Sequence, residues 1–155
     1  AKSYFNLATT YAGREKFLTV ATVYGNTNLT ITGKPTIQGN IFGGGAGLAS
    51  QAQNAKDTID VGGTITYKTG LTANEFVDIA KVYGNTNVTI DADDDWTFTG
   101  NIYGGGAKGL VEGNTNVKIL GGIINGDVFG AGQGEEGHPD KAKVTGTTNV
   151  TIGEE

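Results

Sequence analysis

Short runs along the chain alternate apolar and polar side chains with a period of two. In Thr27-Asn28-Leu29-Thr30-Ile31, Leu29 and Ile31 share one face while Asn28 and Thr30 share the other. That is the pattern of a half-buried β-strand, whose successive side chains point to opposite faces. A second kind of run puts Ile37, Gly39 and Ile41 on one face against Thr36, Gln38 and Asn40. Phe98, Gly100 and Ile102 repeat this arrangement, as do Ile124, Gly126 and Val128. Glycine clusters separate the runs, as corners with positive φ require. No repeated segment sustains a helical period, so the pattern predicts two or three short strands per unit.

The runs recur along the chain. Val23-Tyr24-Gly25-Asn26-Thr27-Asn28-Leu29-Thr30-Ile31 is matched by residues 82–90, 111–119 and 144–152. Gly39-Asn40-Ile41-Phe42-Gly43-Gly44-Gly45 is matched by residues 100–106 and 126–132. The marker glycines Gly25, Gly84, Gly113 and Gly146 stand 59, 29 and 33 residues apart. Since the first gap is close to twice the second, residues 48–81 hold either a degenerate copy around Thr58–Ile65 or an insertion. Fixed periods of this size mark solenoids, propellers or arrays. One coil cannot bury its inner face alone, but stacked coils can, and each pairs its backbone with the next. Stacking would align Leu29, Val88, Val117 and Val150 in one ladder, and Ile31, Ile90, Ile119 and Ile152 in another. A propeller blade needs about 40 residues and four strands, more than the shortest spacing holds.

The expected fold is therefore all-β: a parallel β-solenoid of about five coils, in one domain covering residues 1–155. Residues 1–22 are expected to cap it, with loop insertions at 48–81 and 133–143. Thr72 and Glu75 have the spacing of a capping box, which would start a short helix over 72–79.

Composition sharpens this picture. Glycine supplies 27 of 155 residues, against about 7% in ordinary chains. Hydrophobic residues make up 37% and charged residues only 17%, so the low apolar content is not the charge-rich signature of disorder. With a net charge of −5 and 11 scattered basic residues, the chain lacks the footprint of a nucleic-acid binder. It is equally unsuited to anionic membrane surfaces, and no apolar run is long enough to span a bilayer. Cysteine is absent, which excludes disulfides, thiolate metal sites and cysteine nucleophiles.

The string Val-x-Gly-Asn-Thr-Asn-Val-Thr-Ile, followed by Gly-Asn-Ile-Phe/Tyr-Gly-Gly-Gly, resembles the glycine-rich repeats of large bacterial surface proteins. Those are similar to the pectin-lyase-like right-handed β-helix of adhesins and autotransporter passenger domains. The resemblance covers most of residues 23–155 but not 1–22 or about 48–81. It implies a secreted, cell-surface module with a structural or adhesive role. This fold class also often hosts polysaccharide lyases and glycosidases, the enzymatic alternative, but the residues below favour no enzyme. Its partners would be neighbouring repeats or subunits of the same protein, and a host or environmental glycan or surface protein. A start without Met and a stop in mid-repeat fit a piece of a longer array.

Candidate chemistry is sparse. Asp91, Asp93, Asp94 and Asp95 form the densest acidic group, and alternate carboxylates are ligands suited to Ca²⁺. An EF-hand loop would need Gly where Trp96 stands and an acid where Ile102 stands, so that match fails. A solvated acidic corner is the simpler reading; a lone Ca²⁺ site is the functional one, and no other cofactor is expected. A glycosidase needs two carboxylates facing each other across substrate, whereas the other acids are dispersed and Arg14 is the only arginine. Ser3, Ser50 and the single histidine, His138, do not suggest a nucleophile system, and His138 reads as an exposed loop residue. Gly43-Gly44-Gly45-Ala46-Gly47 lacks the Lys-Ser/Thr of a phosphate loop.

Two ladders remain. Asn28/Thr30, Asn87/Thr89, Asn116/Lys118 and Asn149/Thr151 would line the outer face, where stacked asparagines satisfy one another; Lys118 and Asp91 interrupt any ice-binding lattice. Phe42, Tyr103 and Phe129 form an aromatic row. Parity alone points it to solvent, as a platform for sugar rings or a partner, whereas the following glycines would turn it into the core.

Overall fold

The computed structural model describes residues 21–47, 58–61, 64–67, 80–139 and 141–153, and for 58–61 and 64–67 the strands alone. The expected cap over 1–20, most of the 48–81 segment and the helix over 72–79 lie outside the described residues. Within them the chain is all-β, with no helix.

The first repeated block forms four strands: β1 (Thr27–Gly33), β5 (Thr86–Ala92), β8 (Thr115–Ile119) and β11 (Thr148–Ile152). They make one parallel sheet in the order β1-β5-β8-β11. Leu29 pairs with Val88, Val88 with Val117, and Val117 with Val150; Ile31, Ile90, Ile119 and Ile152 follow in the same register. Parallel bridges joining Val23, Val82, Val111 and Val144 extend this register upstream. A one-residue slip would turn Leu29 and Ile31 outward, so the apolar alternation itself fixes the alignment.

The second block gives β2 (Ile41–Phe42), β7 (Ile102–Tyr103) and β10 (Val128–Phe129), parallel in the order β10-β7-β2. Between the blocks, β6 (Thr97–Phe98) pairs in parallel with β9 (Ile123–Ile124). The inward faces of these sheets meet in one cluster that includes Val88, Ile90, Trp96, Phe98, Ile102 and Val117. Burying each large apolar side chain contributes about 1.5–3 kcal/mol.

Threonine closes each turn of chain. The Thr27 hydroxyl donates to the Gly43 carbonyl at 2.6 Å, and Thr86 and Thr115 donate likewise to Gly104 and Gly130. Thr86 and Thr115 are fully buried among apolar neighbours, and these bonds satisfy their hydroxyls. Glycine is needed opposite them for steric reasons. A Cβ on Gly43 would strike the Gly104 carbonyl oxygen, and one on Gly104 the Gly130 oxygen. Where the chain enters three of the four units it kinks through a left-handed residue, Ala21, Ala80 or Ala142, whereas Gly109 before β8 has no positive φ. Ala80 and Ala142 have φ of 60° and 54°, at a cost of about 1–2 kcal/mol each, and both are buried.

The long sheet has four strands among the described residues, and Thr58–Ile65 adds none. That stretch instead holds β3 (Thr58–Val61) and β4 (Thr64–Tyr67), which pair antiparallel with each other. β1 bonds directly to β5 across the gap. Gly62 and Gly63 lie between β3 and β4, and a Gly-Gly spacer between two β-prone runs favours a hairpin.

Candidate functional site

The outer face of the long sheet is a set of asparagine ladders. Each amide Nδ2 donates to the Oδ1 one strand back: Asn87 to Asn28 at 2.8 Å, Asn116 to Asn87 and Asn149 to Asn116 at 2.9 Å. A second ladder sits at the corner before the strands, where Asn26, Asn85 and Asn114 accept from the backbone N–H of Asn85, Asn114 and Thr147 at 2.8 Å. A third runs beside the short strands: Asn40 accepts from the Asn101 N–H and Asn101 from the Asp127 N–H, both at 2.9 Å. These amides are committed to holding neighbouring repeats together.

The acidic corner is a tight turn. Trp96 N–H donates to the Asp93 carbonyl at 2.8 Å, and Asp93 N–H to that of Gly33 at 3.1 Å. The Trp96 indole is buried, stacked on Phe98 with ring centroids 5.6 Å apart, and its Nε1 donates to the Pro35 carbonyl at 2.7 Å. Asp91, Asp93, Asp94 and Asp95 are all exposed. Asp95 accepts from Lys34 Nζ at 2.6 Å; that hydrogen bond is the main cause of its lowered pKa and of the raised pKa of Lys34. Among the described residues, no group of three or more His, Asp or Glu side chains is arranged to hold a metal ion.

The aromatic row is continuous. Phe42 stacks on Tyr103 and Tyr103 on Phe129, with centroids 5.0 and 4.9 Å apart and planes within 9°. Burial grades along it: Tyr103 is 7% exposed, Phe42 is half-buried and Phe129 is 42% exposed. The rings pack on each other rather than in the main cluster, so the row is neither a fully exposed platform nor part of the core. Among the described aromatics of the row, Phe42 and Phe129 each stack through one face, and Phe129 is the more exposed ring available to a sugar or a partner.

A second stack had no forerunner in the alternation pattern, because its residues precede the strands. Tyr24 and Tyr83 lie 5.3 Å apart and nearly parallel. Lys81 sits over the Tyr83 ring at 4.5 Å and pairs with Glu112 at 2.6 Å. The matched Val-Tyr-Gly strings were the available signal for the tyrosine pair. His138, expected to be exposed, is half-buried. Its N–H donates to the Glu135 carbonyl and its own carbonyl accepts from the Lys141 N–H, both at 3.1 Å, so a turn folds it back. Burial pushes the nearby Lys141 pKa down.

One end of the stack is open. Val117 and Ile119 are 1% and 6% exposed, whereas Val150 and Ile152, one strand later, are 43% and 73% exposed. No protein-family model, curated protein or solved structure matches the chain.

Proposed function

We propose that the chain is a parallel β-solenoid, a right-handed β-helix that serves as a structural and adhesive repeat module of a secreted, surface-displayed bacterial protein. In this reading it stacks with neighbouring repeats and displays loops such as the acidic corner at its sides. The in-register asparagine ladders carry the reading. They devote a repeated polar side chain to cohesion between units rather than to a convergent site. Such an arrangement suits a spacer, since quasi-one-dimensional stacks extend by adding units. Catalysis is no part of this reading, and neither is a resident cofactor.

Antibody raised against the chain tests the role. It should label intact, unpermeabilised source cells, and surface proteolysis should remove the signal; label confined to permeabilised cells would contradict the proposal. A glycan-binding role is the second reading, favoured by the exposed ring of Phe129. It expects hits on a glycan array that disappear in Phe129→Ala, and an array without hits removes it.

A further inference from the structure

The tyrosine pair just ahead of β1 and β5 is held by backbone on both sides. Val23 N–H donates to the Lys81 carbonyl at 2.8 Å, and Tyr83 N–H to that of Val23 at 2.9 Å. Past the rings, Asn85 N–H donates to Asn26 Oδ1 at 2.8 Å and Thr27 N–H to the Asn85 carbonyl at 2.9 Å. The two chains also approach closely between these bonds, since a Cβ on Gly84 would strike the Gly25 carbonyl oxygen. Two phenols 59 residues apart in sequence are thus fixed at one register position of neighbouring units, their planes 5° from parallel.

In the next two units Glu112 and Thr145 follow the bridging valines, where Tyr24 and Tyr83 follow theirs. Lys81 links the Tyr83 ring to Glu112, on the side of the column opposite Tyr24. With a group on each face, Tyr83 is still 41% exposed, and Tyr24 is 74% exposed, so the column presents ring edges to solvent. The other described stacks differ. Tyr103 lies between two phenylalanines and is 7% exposed, and Trp96 and Phe98 are both buried. Among the described residues, Tyr24 on Tyr83 is the stack that pairs two phenols, and both are open to solvent.

We infer that Tyr24 and Tyr83 are a site of oxidative cross-linking, joined ring to ring as dityrosine by a haem peroxidase with hydrogen peroxide as oxidant. Each phenol gives up one hydrogen atom, its electron passing to the peroxidase and its proton to solvent. Hydrogen peroxide takes up the two electrons and two protons and leaves as two water molecules. The unpaired electron of each phenoxyl radical is shared with the carbons ortho to its oxygen. A C–C bond forms between one ortho carbon of each ring, and the hydrogen on each joined carbon moves through solvent to the oxygen, restoring both phenols. The fixed stack makes the coupling intramolecular, and exposure lets the rings turn about Cβ–Cγ into the bonded geometry. The product ties β1 covalently to β5 across the gap that holds residues 48–81. A cross-link closing so long a loop restricts the unfolded chain, and so stabilises the folded one. The site needs the in-register pairing of β1 with β5 but not the surface role proposed above.

The test is treatment of the dilute full chain with a haem peroxidase and equimolar hydrogen peroxide, read by biphenol fluorescence, intact mass and peptide mapping. The monomer should lose two hydrogen atoms in mass and yield a cross-linked peptide pair containing Tyr24 and Tyr83. Tyr24→Phe and Tyr83→Phe, which keep the stacked rings, should each abolish that product, whereas Tyr103→Phe should leave its yield unchanged. In urea the same treatment should spread the coupling over other tyrosines. The cross-linked chain should melt several degrees above the untreated one, and Tyr24→Phe treated alike should show no rise. Coupling chiefly through other tyrosines or between chains, or fluorescence that survives Tyr24→Phe, would overturn the proposal. So would a folded chain, its β5 and β8 amides protected from exchange, that yields no cross-link.

Discussion

Gly104 and Gly25 show how differently glycines of one repeat are constrained. A Cβ on Gly104 would overlap the Gly130 carbonyl, whereas one on Gly25 would meet nothing within 4 Å, and neither residue has positive φ. Gly104→Ala should therefore cost about 1–3 kcal/mol or more, as overpacking does. Gly25→Ala should lie within about 0.5 kcal/mol of the parent, because it removes only unfolded-state freedom. Paired thermal melts check the contrast. Thr86 is the other decisive residue. Its hydroxyl is fully buried and its partner is the Gly104 carbonyl. Thr86→Val keeps the shape but leaves that acceptor unmet, at a cost of about 1–3 kcal/mol, measurable by urea unfolding. Thr27 has the same bond in a half-buried setting, so Thr27→Val should cost less.

At the scale of elements, the strands of the first block were legible because Leu29, Ile31 and their counterparts alternate with polar residues over five positions. The alternation gave their register as well, since equivalent residues in matched strings pair across the sheet. The hairpin of β3 and β4 was masked by its likeness to a worn copy: Thr58-Ile59-Asp60-Val61 alternates as a repeat strand does, and only the Gly62-Gly63 spacer marks it as a turn. The aromatic row was ambiguous because parity holds on an unbroken strand, while β2, β7 and β10 are two residues long and end in glycine. The pairing of Lys34 with Asp95 was not legible, since it joins two corners that stacking alone brings together. Asp95 has a folded pKa below its ordinary value, so the pair's contribution is present above the usual carboxylate range and is lost as pH falls through the lowered pKa. Lys34→Met should raise the Asp95 pKa back toward that range in an NMR titration. Full exposure of both groups keeps the effect on stability small.

For the whole molecule, a polar, glycine-rich chain folds because one short apolar pattern is reused. Each unit lends its inner face to the next, its asparagines bond along the stack, and its threonines close each turn. Among the described residues, every buried side-chain nitrogen and oxygen has a hydrogen-bond partner. The cohesion is local between neighbouring units, which is why the final strand, covered on one side, leaves Val150 and Ile152 exposed. The most direct test of this account is a methyl NOESY spectrum of the isotope-labelled chain. It should show cross-peaks linking Ile31 to Ile90, Ile90 to Ile119 and Ile119 to Ile152, with Val88 linked to Leu29 and Val117. Cross-peaks shifted by one or more residues, or none between these isoleucines, would contradict the in-register stack.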